Sequence, residues 1–241
     1  MSERMPAVMT GDSPYLLKKD RFSSHAQITS QLRPLARSHP DPFTILDVGC
    51  AAGFLNEFLP TPDFRFVGVE RDPDLVAIAR QRYDAVFQAD LSQPLDLPID
   101  PPQAIVLADI LEHLPDPETV LLDLLQRYAK PGTPVIISLP NVAHLYVRLS
   151  LLLGKFDYSD RGILDRTHLR FFTLKTARQL CENCGIRVQL VSVTPVPLPL
   201  VHPAFGEGQS LFPVHQLSAF LASTFKGLLA FQFIFRGVYE P

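Results

Sequence analysis

Four acidic residues, Asp47, Glu70, Asp90 and Asp109, each close an apolar, β-rich run of the sequence. One carboxylate at a strand end is ordinary loop chemistry. Four in succession, with the turn Gly49-Cys50-Ala51-Ala52-Gly53 after the first, point to a nucleoside-type ligand. In an open α/β sheet the carboxyl edge is where such ligands bind. Gly49 and Gly53 let the backbone turn tightly and approach a ligand. The N–H groups that open the helix expected at 54–59 suit a carboxylate or a phosphate. Glu70, 21 residues beyond Gly49, is placed to accept ribose hydroxyls. The turn lacks the G-x-G-x-x-G spacing of a dinucleotide site. Asp47 beside it would repel a pyrophosphate and attract a cation.

Beyond the fourth acid the candidate general bases are His144 and His168, since histidine titrates near neutral pH. Asp165 is placed to orient His168 and raise its basicity. Arg166 and Arg170 suit an anionic group on a substrate. The bland alternative is that 165–168 form a structural turn, held by an internal ion pair and the Thr167 hydroxyl. Along the chain no His/Cys/acid cluster has metal-ligand spacing, so no metal is expected. Cys181 and Cys184 form a lone pair without a second pair and read as buried helix cysteines. Tyr15-x-x-x-Lys19 matches a dehydrogenase pair by pattern but precedes the first strand, so it reads as chance.

The elements that must position these residues alternate strand and helix, which argues an α/β fold with a mostly parallel sheet. Strands are expected at 43–48, 65–69, 85–88, 104–108, 134–139, 186–193 and 229–239. Helices are expected from Pro73 to about Tyr83, at 117–128, from Thr173 to a cap at Gly185, and at 213–225. Prolines open the second and third of the chain's helices after the first strand, where a missing N–H costs little. Residues 141–172 read as a long connection and a substrate segment, and 195–227 as an inserted cap. Residues 1–43 form a leader, with a lid helix expected over 15–35, and 44–241 the main domain.

The residues Ile45-Leu46-Asp47-Val48-Gly49-Cys50-Ala51-Ala52-Gly53 resemble the first motif of class I S-adenosylmethionine-dependent methyltransferases. That family usually has glycine where Ala51 stands. Val67-Gly68-Val69-Glu70 resembles its second motif, whose acid binds ribose, with Arg71 following. Ala89-Asp90-Leu91 resembles the third, where the acid and the next amide meet adenine. The run from Ala108 through Asp109, Ile110 and His113 to Pro117 resembles the fourth-strand motif of the small-molecule branch, with the histidine over the cofactor. Stretches at 139–144, 154–158 and 165–173 are similar to a bacterial subgroup linked with cell-surface carbohydrate synthesis. Their placement is also similar to the lipid-facing insertion of ubiquinone-pathway O-methyltransferases. The resemblance implies a Rossmann-like seven-stranded sheet of order 3-2-1-4-5-7-6 with helices on both faces. It also implies S-adenosylmethionine as methyl donor, S-adenosylhomocysteine as product, and a small-molecule, sugar or lipid-linked hydroxyl as acceptor. Two rivals stay open: a nicotinamide-dependent oxidoreductase, and a non-catalytic cofactor-binding partner of a biosynthetic enzyme.

Composition bounds these readings. The 241 residues carry a formal net charge of -3, so no basic footprint argues for nucleic acid. Three cysteines cannot frame a secreted disulfide scaffold, and no signal peptide or membrane span is expected, so the default compartment is the cytoplasm. The apolar stretch 211–235 leaves three roles open: a pocket cap, a homodimer contact and a peripheral membrane contact. Proline is in excess, 23 in all, against roughly 5% in ordinary chains. With 46% hydrophobic residues, that excess reads as punctuation of a buried core.

Overall fold

The computed structural model describes residues 20–37, 39, 41–59 and 62–241. Residues 1–19 of the expected leader, including Tyr15 and Lys19, lie outside the described residues. Among the described residues fifteen helices and strands follow in order, interrupted by short 3-10 turns. They are α1 (Ser24–Ala36), β1 (Phe43–Val48), β2 (Phe64–Glu70), α2 (Pro73–Ala79), β3 (Ala85–Gln88), β4 (Ala104–Ala108), α3 (Pro117–Tyr128) and β5 (Pro134–Pro140). Then come α4 (Leu145–Leu152), α5 (Leu174–Asn183), β6 (Ile186–Thr194), α6 (Leu198–Val201), α7 (Phe212–Thr224), α8 (Lys226–Leu229) and β7 (Gln232–Tyr239).

The seven strands form one sheet of order β3-β2-β1-β4-β5-β7-β6, parallel except that β7 runs antiparallel to both neighbours. Side chains alternate across each strand. Leu46 and Val48 of β1 therefore enter one core, shared with α3 and α5. Phe43 and Ile45 enter the other, shared with α1 and α2. The order reverses at β1, with β2 on one side and β4 on the other. A crevice at the carboxyl ends follows from that reversal.

Local signals account for most helix ends. Asp72 caps α2 by accepting from Asp74 N and Leu75 N, and Asp116 caps α3 by accepting from Thr119 N. Thr173 and Thr176 form a capping box at the start of α5. Three expectations are corrected. The helix after the first turn is only a 3-10 turn, Leu55–Glu57. The helix from Pro73 stops at Ala79 and continues as turns. The expected connection after β5 contains α4, whose His144 cap accepts from Tyr146 N. Leucines surround α4 on all sides, so no amphipathic period marks it, and only Val147 is buried.

Candidate active site

The turn after β1 is tied to β2. Gly49 N and Cys50 N both donate to Val69 O, at 2.8 and 3.0 Å. Gly49, Ala51 and Gly53 all take left-handed φ, at 76°, 47° and 73°. The glycines adopt this freely, whereas Ala51 holds it against its own Cβ. A Cβ on Gly49 would fall 2.8 Å from Ile110 Cγ1, so Ile110 packs directly on the turn. Glu70 braces the same turn. Its Oε2 accepts from Ala51 N at 3.0 Å, and its Oε1 accepts from Arg71 N and Asp72 N at 2.7 and 2.9 Å. A carboxylate offers about four lone-pair sites, so capacity for a further donor remains.

Asp47 has a different surrounding from the one expected. It is buried, and its Oδ2 accepts the Tyr83 hydroxyl at 2.6 Å. Burial pushes its carboxyl up to about 7, opposed by the Tyr83 bond and aided by the charge of Glu70. Asp47 thus sits behind the turn as a brace between β1 and Tyr83. The fold places Asp90 in the open, where its Oδ1 accepts from Ser92 N at 2.9 Å. That bond holds its carboxyl below the usual range, with Arg71 4.0 Å away adding to the effect. Leu91 beside it is buried in the core.

Asp109 is the most constrained of the four acids. It adopts φ 53° without being glycine, a strain of about 1–3 kcal/mol that such sites retain only when the surroundings dictate it. The surroundings are Ser138 and Gln232. Ser138 Oγ accepts from Asp109 N at 3.0 Å and donates to Oδ1 at 2.6 Å. Gln232 Nε2 donates to Oδ2 at 2.8 Å. Sequence reasoning missed both partners, because they lie 29 and 123 residues from Asp109.

Past β5 the structure brings His168 to His113 and Glu112. The two imidazoles meet edge to face at 4.9 Å, and His168 Nε2 lies 3.9 Å from Glu112 Oε1. Glu112 is buried, its Oε2 has no partner among the described residues, and burial pushes its carboxyl well up. Glu112, His113 and His168 offer ligand atoms all within 4.8 Å of one another. The expectation that no cluster has metal-ligand spacing is therefore corrected, because folding joins residues that sequence spacing keeps apart. A second correction concerns Asp165. Its carboxylate accepts from Thr167 N and Thr167 Oγ1 and makes no hydrogen bond to the His168 ring, although its charge does raise that ring's basicity as expected. Thr167 Oγ1 in turn sits 3.1 Å from His113 Nδ1, so Asp165 orients His113. Ile163 O, 3.1 Å from Nδ1, orients His168 instead. Burial lowers the affinity of His168 for a proton, aided by the charge of His113. His144, also lowered by burial, is engaged as the α4 cap. Arg166 pairs with Asp160 at 2.7 Å, and Arg170 donates to Pro115 O. Each guanidinium is thus engaged separately, so 165–170 is closer to the structural turn than to an anion clamp. Cys181 and Cys184 are free and buried, each thiol pushed up to about 12 by burial.

A largely apolar cavity of about 340 Å³ lies beside this edge. The head of α1 and the segment after β6 wall it, and Thr194 and Gln232 form its sheet side. Gln232 therefore links the cavity to Asp109.

Comparison with known proteins decides the family. A family described as a methyltransferase domain matches residues 17–191, most of the chain. The chain belongs to this methyltransferase-domain family. Among its relatives, the ubiquinone biosynthesis O-methyltransferase of Xylella fastidiosa (strain 9a5c) is 32% identical over 40% of this chain and 42% of that protein. The one from Azoarcus sp. (strain BH72) is 27% identical over 71% and 76%. For the first of these the match spans less than half of the relative's length. The fold of this methyltransferase-domain chain resembles magnesium protoporphyrin IX methyltransferase of Synechocystis PCC 6803 with bound S-adenosylhomocysteine, at TM-score 0.61 and 13% identity, over 91% of this chain and 84% of that one. It also resembles the N-methyltransferase NodS of Bradyrhizobium japonicum WM9, at TM-score 0.55 and 17% identity, over 95% and 93%.

Proposed function

We propose that this chain transfers a methyl group from S-adenosylmethionine to a hydroxyl oxygen of a small molecule, on a sugar or a lipid-linked frame. The observation that carries the reading is the left-handed turn at Gly49–Gly53, braced by Glu70 and facing a strained, doubly bonded Asp109. These residues fit the cofactor's groups. Glu70 keeps lone-pair capacity for ribose hydroxyls. Asp90, exposed and held ionised, suits the adenine amino group. The backbone at Gly49, with the Ile110 side chain packed against it, would receive the methionine portion.

Bound S-adenosylmethionine supplies a methyl carbon activated by its sulfonium. What the chain must add is alignment, worth up to about 7–11 kcal/mol, and removal of the acceptor's proton. Asp109, fixed by Ser138 and Gln232, holds the edge between cofactor and cavity. His168, neutral at physiological pH by its burial, is the candidate base, and His113 and Glu112 shape its surroundings. The ubiquinone-pathway relatives favour a hydroxyl acceptor. Exposed apolar side chains on α4 and α7, Leu149, Leu152, Leu217 and Phe220 among them, favour meeting a lipid-linked one at a membrane surface. Calorimetric titration with S-adenosylhomocysteine and with NAD tests the reading. Binding of the first alone is expected, and binding of NAD alone would replace methyl transfer with hydride transfer.

A further inference from the structure

The cavity beside Gln232 has a chemistry of its own. Phe22, Phe231, Leu200 and neighbouring prolines make its apolar wall, and its charged members among the described residues, Asp20 and Glu207, are both acids. The nearby guanidinium of Arg21 is taken up by one of these acids. It lies 3.7 Å from Glu207 and stacks over the Phe22 and Phe212 rings at 4.9 and 5.4 Å. Asp20 is held from behind. Its Oδ2 lies 2.8 Å from Nε2 of His215, which is fully buried, with the edge of Phe22 against its ring. Its other oxygen, Oδ1, has no partner among the described residues, and Asp20 lines the cavity where His215 does not. With Oδ2 taken up by the imidazole, Oδ1 is the oxygen left to accept a hydrogen from a molecule in the cavity.

We propose that this cavity binds the methyl acceptor. The acceptor is an apolar, ring-sized frame that donates a hydroxyl or ammonium hydrogen to Asp20, and His215 is the positioning residue that aims Asp20. A molecule presenting a carboxylate or phosphate there would meet the Asp20 carboxylate, with no unpaired cation among the described wall residues to offset it. Calling the ligand an acceptor rests on the methyltransferase reading; the ligand chemistry rests on the cavity alone. Gln232, which lines the cavity and bonds Asp109, would place the bound molecule next to the edge assigned to the methyl donor.

Three matched probes test it by calorimetry on the full chain, with and without S-adenosylhomocysteine: tyramine, p-cresol and 4-hydroxyphenylacetate. Tyramine is expected to bind most tightly, p-cresol next, and the carboxylate at least about tenfold more weakly than tyramine, about 1.4 kcal/mol. Asp20→Asn, close to isosteric, is expected to weaken tyramine about tenfold while S-adenosylhomocysteine affinity stays within twofold. His215→Gln, which keeps a donor near the same place, is expected to retain tyramine affinity better than His215→Ala. A purely structural histidine would give no such rescue. The native chain's preference among the three probes needs no variant and decides the matter if one fails to fold. Equal affinity for tyramine and 4-hydroxyphenylacetate, no probe binding at all, or indifference to Asp20→Asn would overturn the proposal. If S-adenosylhomocysteine fails to bind while the probe ranking and the Asp20→Asn loss persist, the methyltransferase reading falls and the cavity chemistry stands.

Discussion

Replacing Asp47 by asparagine tests whether the buried acid under the glycine turn behaves as its surroundings require. In the unfolded chain its carboxyl has its ordinary value of 3.8, while in the fold burial raises it to about 7. Between those two values the folded chain binds a proton that the unfolded chain has lost. Stability from this group is therefore full below about pH 4 and is lost as pH rises to about 7. At about 1.4 kcal/mol per pH unit, the loss from pH 4 to pH 8 is about 3–4 kcal/mol. The asparagine of Asp47→Asn cannot ionise, and its carbonyl can still accept the Tyr83 hydroxyl, which lies 2.6 Å from Asp47 in the native chain. Its amide needs a partner that Asp47 did not, which costs about 1–3 kcal/mol at every pH. The diagnostic is therefore the change with pH and not the absolute stability. Urea unfolding at pH 4, 6 and 8 is expected to show the variant gaining about 3–4 kcal/mol on the native chain across the range. At a slope of about 3 kcal/mol per molar urea, that is a relative midpoint shift of about 1 M. Parallel pH curves for the two proteins would refute the reasoning, because they would mean Asp47 is ionised at no cost or titrates as it does unfolded.

Four further outcomes are expected. Ala51→Gly relieves a left-handed residue at φ 47°. About 1–2 kcal/mol of strain is removed against about 0.4–1 of added unfolded-state entropy, so the melting temperature should rise by a few degrees in calorimetry. A lower melting temperature would argue that the turn needs the Ala51 methyl. Gly237→Ala places a Cβ 2.5 Å from Ile186 Cγ2 and 2.7 Å from Arg187 O, so thermal melts should show a loss of about 1–3 kcal/mol between β6 and β7. His168→Ala should cut turnover, read as S-adenosylhomocysteine formed, far more than cofactor affinity. In the native enzyme the acid limb of the rate should lie below pH 6.5, since burial lowers His168, and unchanged turnover would remove it from the mechanism. Flotation with vesicles of zwitterionic and anionic lipid should carry the protein upward through α4 and α7. Leu152→Asp with Phe220→Asp, at side chains 81% and 64% exposed, should abolish this, and no flotation in either lipid ends the membrane reading.

Nearly all strand bounds could be read from the chain, because apolar alternation and proline or acid punctuation act over a few residues. The order of the strands came with the family resemblance, and the sheet matches it. The helix starts at Asp72, Asp116 and Thr173 were legible for the same local reason. Helix α4 was not, since uniform leucine content carries no period. Among site residues, Glu70, expected to accept ribose hydroxyls, is found bracing the glycine turn, and Asp109 is bound to Ser138 and Gln232. Asp165 was expected to orient His168, but its hydrogen bonds go to Thr167, because a two-residue Asx bond outcompetes the side chain next along; its charge still raises the basicity of His168 as expected.

Local sequence sufficed for the α/β architecture and for the four acids and glycine turn at the carboxyl ends of its strands. These are short-range matters of alternation, chirality and cap chemistry. Which polar groups meet was settled by packing alone. It joined Asp47 to Tyr83, Asp109 to Ser138 and Gln232, His113 to Thr167 and Asp20 to His215. Those pairs lie 29 to 195 residues apart. No local propensity encodes them; they follow from which strand ends and loops the packed sheet brings within hydrogen-bond reach, and from the cost of leaving any buried polar group without a partner.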